Sequence, residues 1–106
     1  MTGKLDALLG TLDNMENPKE TVAVIHAAFD ETAHTVALVE VKKNMTTDEK
    51  LEAAFMKTNS IDDAWWNNEG VTKMFPDKTC RSTSTGDMVL VGKDKYKCDT
   101  AGWSKI

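Results

Sequence analysis

The segment HTVALVEVKK, residues 34–43, constrains the fold more than any other part of the chain. Its Val36, Leu38, Val39 and Val41 do not alternate strictly with polar residues, which predicts a strand buried on both faces at the centre of a sheet. The preceding TVAVIHAAF, residues 21–29, is also short and rich in β-branched side chains, and only the polar DETA separates the two. That spacing predicts a hairpin rather than two helices.

A sheet of this kind needs an apolar cover. Thr46 and Glu49 form a capping-box pattern, in which the hydroxyl accepts from the Glu49 amide and the carboxylate reaches back to the Thr46 amide. Leu51, Ala54, Phe55 and Thr58 then mark one face, so a helix is predicted over residues 47–58. A second amphipathic helix is predicted over residues 4–16, where Leu5, Leu8, Leu9, Leu12 and Met15 recur at three- and four-residue steps. Asn17-Pro18 ends it, because the residue before a proline is pushed out of the helical region.

Near the C-terminus, MVLVGKDKYKCD predicts a second hairpin. With its turn centred on Lys93 and Asp94, Val91 faces Tyr96 and Val89 faces Cys98, all four on the core side. The other side carries Met88, Leu90, Lys97 and Asp99, half apolar and open to cover by a helix or by the Trp65-Trp66 loop. From Asn59 to Thr85 the periodicity vanishes, and one long loop with little regular structure is expected; such loops inside a small domain are often functional. Strands grouped around one internal helix favour an α+β fold, with an antiparallel sheet from residues 21–43 and 87–99 covered by the 47–58 helix. One domain is expected over residues 1–106: the N-terminal helix, then an α+β core from residue 20.

Charge and composition narrow the function. The chain has 41% apolar and 28% charged residues, 13 basic against 17 acidic, with the signs interleaved. Its single arginine is Arg81. A general grip on nucleic acid needs clustered basic residues, so the alternative of a small nucleic-acid-binding protein rests on Lys93, Lys95 and Lys97, with Tyr96 or a loop tryptophan stacking on bases. No stretch approaches the length of a membrane helix and the N-terminus does not read as a secretion leader, so a cytoplasmic location is expected.

No local nucleophile motif is present: the two histidines, His26 and His34, stand far in sequence from Ser82, Ser84 and Cys80. Cys80 and Cys98 lack the paired spacing of a structural zinc site, and no glycine pattern forms a phosphate cradle. These features predict no cofactor, no metal and no enzymatic activity. Candidate binding residues are Trp65 and Trp66, one anchoring the loop in the core and the other free to be an exposed anchor or a second core contact. With them stand Arg81, Ser82 and Asp87. Residues 81–87 are expected to form a loop pinned by an Arg81–carboxylate bond, with Asp87 bracing the turn and Gly86 supplying a special backbone angle or a close approach.

LEAAFMKTNSIDDAWWNNEGV followed by CRSTSTGDMVLVGKDKYKCDTAGW resembles a group of small proteins encoded by tailed bacteriophages, plasmids and some bacterial genomes. The shared features are a helix ending in Thr58-Asn59, the tryptophan-bearing loop, the run Arg81 to Asp87 leading into a strand, and Gly102-Trp103. The group usually closes on Gly-Phe with an acidic tail, whereas Ser104-Lys105-Ile106 follow Trp103 here, and the N-terminal helix has no counterpart. The resemblance implies a phage accessory protein that binds a protein of the host cell and modulates it, in takeover or in counter-defence.

Overall fold

The computed structural model describes residues 18–60 and 64–106. The helix predicted for residues 4–16 lies outside the described residues. Two long strands, β1 (Lys19–His26) and β2 (His34–Lys42), form the predicted hairpin and are followed by helix α1 (Thr47–Lys57). A 3₁₀ turn at Trp65–Asn67 precedes β3 (Val71–Lys73), and β4 (Met88–Val91), β5 (Asp94–Asp99) and β6 (Gly102–Lys105) complete the chain. All six strands belong to one antiparallel sheet in the order β3-β2-β1-β4-β5-β6. Among the described residues one α-helix lies against the sheet, and the architecture is α+β.

The hairpin and its helix cover form as the sequence predicts, but β2 is neither central nor buried on both faces: it lies second from one edge, with Val36, Ala37, Val39 and Val41 buried, Leu38 half-buried and Thr35 and Glu40 exposed. Val22, Val24, Val36, Ala37, Val39 and Val89 are fully buried in one core with Leu51 and Ala54 of α1 and with Trp65. The absence of strict alternation in β2 has a local cause. The β1–β2 register shifts between Val24 and Ile25, so Val36 and Ala37 are consecutive and both buried. Helix α1 begins with both bonds of the capping box, Glu49 N donating to Thr46 Oγ1 at 3.2 Å and Thr46 N donating to Glu49 Oε1 at 2.9 Å.

Four boundaries differ from expectation. The first strand stops at His26, and Ala27 to Phe29 belong to the turn. The 59–85 segment contains the 3₁₀ turn and β3, whose three residues are too few to show a period and take their hydrogen bonds from the β2 edge. A sixth strand, β6, pairs Trp103 with Cys98, and its indole nitrogen donates to Glu52 of α1 at 3.0 Å. The second hairpin turns on Gly92-Lys93 rather than on Lys93-Asp94, so Val89 faces Tyr96 and Val91 faces Asp94. Gly92 has φ +61°, at the first central position of a two-residue turn where glycine is favoured. A slip of two residues leaves every side chain on its predicted face, which is why alternation alone did not separate the registers.

Candidate functional site

The chain's single arginine organises the region between the β1–β2 turn and the start of β4. Arg81 Nη1 and Nη2 donate to the two oxygens of Asp87 at 2.7 and 2.9 Å, and Nε and Nη2 donate to the two oxygens of Glu31, both at 3.0 Å. Nη1 also donates to the Ser82 carbonyl at 3.1 Å. All five guanidinium donors point at protein oxygens, the fork geometry that distinguishes arginine from lysine.

Asp87 is 0% exposed and is the hub of the loop. Its Oδ1 accepts from Ala27 N at 2.8 Å and Ala28 N at 2.9 Å, and its Oδ2 accepts from Ser84 N at 2.8 Å. Burial by itself would raise its pKa. The Arg81 guanidinium and the three amides outweigh that and hold it at about 2. The separate pair of hydrogen bonds from Arg81 lowers the pKa of Glu31. Gly86, one residue before the hub, has φ +99°, and a Cβ there would meet the Ala28 Cβ at 3.1 Å. The expected pinned loop is therefore present, and the glycine supplies both the backbone angle and the close approach.

Through this lock the loop shapes the β1–β2 turn. Glu31 N donates to Ala28 O at 3.2 Å, closing a turn whose central residues Phe29 and Asp30 have φ +59° and +61°. Positive φ at both positions is the pattern of a type I′ turn, ordinarily filled by Asn and Gly. Asp tolerates it. A bulky aromatic there is an outlier that the surroundings must hold, at a cost of about 1–2 kcal/mol. Here Asp87 grips Ala27 and Ala28, Arg81 grips Glu31, and the Phe29 ring lies 4.9 Å from Arg81 Cζ. Phe29 is nevertheless 72% exposed.

Beneath the turn lies a second cluster. Thr58 Oγ1 donates to Ala54 O at 2.8 Å, and Thr83 Oγ1 donates to Thr58 Oγ1 at 2.8 Å. Each hydroxyl has one proton, so Thr83 Oγ1 is left to accept from His26 Nε2, 3.0 Å away. That direction of bonding leaves His26 Nδ1 as an acceptor, and Cys80 Sγ sits 3.7 Å from it. The pair borders a pocket of about 490 Å³, lined also by Glu31, His34, Asp77 and Arg81. Geometrically this is a thiol beside a base. Burial, however, lowers the His26 pKa and raises that of Cys80, which favours neutral thiol and neutral imidazole, the opposite of an activated thiolate. A larger groove, about 590 Å³, lies between β2 and α1 and is lined by charges of both signs, among them Lys19, Glu40, Glu49 and Lys57, with no Ser, Thr, Cys or His side chain.

Four of the five residues singled out from the sequence meet in this region. Arg81 and Asp87 form the lock. Ser82 Oγ accepts from Ser60 N at 2.9 Å and ties the loop to the end of α1. Trp65 is fully buried, its indole nitrogen donating to the carbonyls of Cys80 at 3.2 Å and Arg81 at 3.0 Å. Trp66 stands apart from the lock, half-buried against Trp65 and Phe75 with ring centroids 5.5 and 5.4 Å away. In this fold Trp65 and Asp87 present no surface to a partner. Phe29 and Glu31 were not singled out from the sequence, where the only local signal was the polar DETA after Phe29; Cys80 and His26 were weighed as nucleophile and base and set aside as distant in sequence, and the fold brings them to 3.7 Å. Among the described residues no group of three or more His, Cys, Asp or Glu side chains could hold a metal ion, and no helix is long and apolar enough to cross a membrane. No family model, curated protein or solved structure matches the chain.

Proposed function

We propose that this chain is a non-enzymatic binding protein that engages a protein partner through the β1–β2 tip, with Phe29 as the anchor and the Arg81–Glu31–Asp87 lock as its rigid support. One observation carries the reading: an aromatic side chain is held in a backbone conformation that disfavours it and is left 72% exposed. Strained, over-determined and exposed residues of this kind cluster at binding sites. Aromatic anchors on a preorganised support lose little conformational freedom on binding. The neutral Cys80–His26 pair supports a non-enzymatic reading, and the resemblance to phage- and plasmid-encoded proteins supports a host-cell protein as the partner, as expected of an accessory protein acting in the host cytoplasm.

The experiment is affinity capture from host lysate with the parent chain and Phe29→Asn, which keeps a residue tolerant of positive φ while removing the ring. The parent retaining a discrete protein that Phe29→Asn loses at unchanged melting temperature supports the reading. Equal retention by both, or by neither, at micromolar concentration overturns it.

A further inference from the structure

The Cys80–His26 pair takes no part in the bonds of the Arg81–Asp87–Glu31 lock or in the exposed tip. Cys80 Sγ stands 3.7 Å from His26 Nδ1, and both residues line the pocket of about 490 Å³. The tautomer of His26 is fixed from the far side of its ring. Nε2 donates to Thr83 Oγ1 at 3.0 Å, and the bonds run on through Thr58 Oγ1 to Ala54 O of α1. An imidazole held by an oxygen acceptor at one nitrogen keeps its lone pair on the other, the arrangement found behind metal-bound histidines. Here the lone pair belongs to a residue that is 1% exposed, and it faces a sulfur, whose S–H is only a weak donor. Cys80 is held through its backbone, since Trp65 Nε1 donates to its carbonyl at 3.2 Å.

We propose that Cys80 and His26 together form a binding site for monovalent copper, Cu(I). A closed-shell cation bonded to a thiolate sulfur at about 2.3 Å and to an imidazole nitrogen at about 2.0–2.1 Å holds the two about 3.7 Å apart when its bond angle is about 115–120°. The observed separation is 3.7 Å. That angle is trigonal, and a third position is left for a ligand from the pocket that both residues line. Thiolate selects soft ions such as Cu(I), and imidazole suits copper as well. Zinc ordinarily takes three or four protein ligands, and among the described residues no group of three or more His, Cys, Asp or Glu side chains could hold it. Charge argues the same way. Burial is the largest influence on both groups, raising the pKa of Cys80 and lowering that of His26, so each charged form is penalised. On binding, the Cys80 S–H bond breaks and its proton leaves to solvent, while the sulfur and the His26 Nδ1 lone pair each form a bond to copper, which stays Cu(I). One positive charge replaces another, so the pair gains no net charge. A divalent ion would add one.

The test titrates the reduced full chain, free of oxygen, against a chromogenic Cu(I) chelator and reads the copper withdrawn. The parent and Cys98→Ala are expected to withdraw one Cu(I) per chain. Cys80→Ser is expected to lose that equivalent, and His26→Gln to hold it roughly tenfold or more weakly, since one of two protein ligands is gone. No uptake by the parent overturns the proposal. So does uptake that survives Cys80→Ser or vanishes in Cys98→Ala, which assigns the ion elsewhere, and so does undiminished affinity in a folded His26→Gln, which assigns it to the thiol alone. If His26→Gln fails to fold, the parent carries the test by nitrogen NMR of the isotope-labelled chain with one equivalent of Ag(I), a soft monovalent ion that does not cycle between oxidation states. Movement of the His26 Nδ1 resonance to a metal-bound position supports the proposal, and an unmoved resonance overturns it.

Discussion

Arg81 meets Asp87 through two parallel hydrogen bonds, 2.7 and 2.9 Å long, and the carboxylate they hold is completely excluded from solvent. Two loops 50 and more residues apart in sequence hang on that pair, because Asp87 also holds the amides of Ala27 and Ala28 and Arg81 also holds Glu31. Asp87→Ala removes the acceptor for three amides and leaves Arg81 with Glu31 as its one carboxylate partner, so the loss of unfolding free energy in urea is expected to be about 3–5 kcal/mol. Asp87→Asn retains one acceptor oxygen and is expected to lose less. Equal stability of parent and Asp87→Ala would show that the lock contributes nothing to the fold.

Gly86→Ala is expected to destabilise by about 1–3 kcal/mol, since the added Cβ both enforces strain at φ +99° and crowds Ala28 at 3.1 Å. Gly92→Ala is the control. It carries the strain of φ +61°, but a Cβ there meets nothing within 4 Å, so a smaller drop in melting temperature is expected.

Stability should fall in two stages on acidification. His26 is 1% exposed and its folded pKa lies below the ordinary 6.5 because of burial, offset in part by Asp87. The unfolded chain therefore takes up the proton first. The associated stability is present above pH 6.5 and is lost as pH falls from there through the depressed folded value. Asp87, held at about 2 against an ordinary 3.8, contributes on the order of 2 kcal/mol that is present above pH 3.8 and lost below it. Melting temperatures of the parent and His26→Gln from pH 8 down to about 1.5, below the folded value of Asp87, check this. The variant should lack the upper step and keep the lower one.

At the tip, Phe29→Asn is expected to be more stable than Phe29→Val by about 1–2 kcal/mol, because Asn tolerates positive φ and a β-branched residue does not. Both variants remove the ring that faces Arg81, so their difference in chemical denaturation reports the backbone alone. Equal stabilities would mean that the turn relaxes without the ring.

How much of this was legible in the sequence depended on how far each cause reached along the chain. The helix start at Thr46, the strands around Val22 and Val39, and the use of Gly86 and Arg81 have causes within a few residues or in periodicity, and they were predicted from the residues themselves. The hairpin register was not, because a two-residue slip preserves every face and only the positive φ of Gly92 selects between the alternatives. Strand β3 has three residues and β6 four, too short for a pattern, and their partners β2 and β5 decide that they are strands. What only the tertiary structure decided is the tip. Phe29 reads as the end of a strand until Arg81, 52 positions later, lies over its ring, and Cys80 meets His26 across 54 positions with its proton-acceptor role set by Thr83 and Thr58. Such contacts are long-range and polar, and no local propensity or hydrophobic period encodes them. The sequence by itself determined a sheet, its helix cover and a pinned loop; the packing of that loop against the β1–β2 turn determined which side chain is held out to solvent.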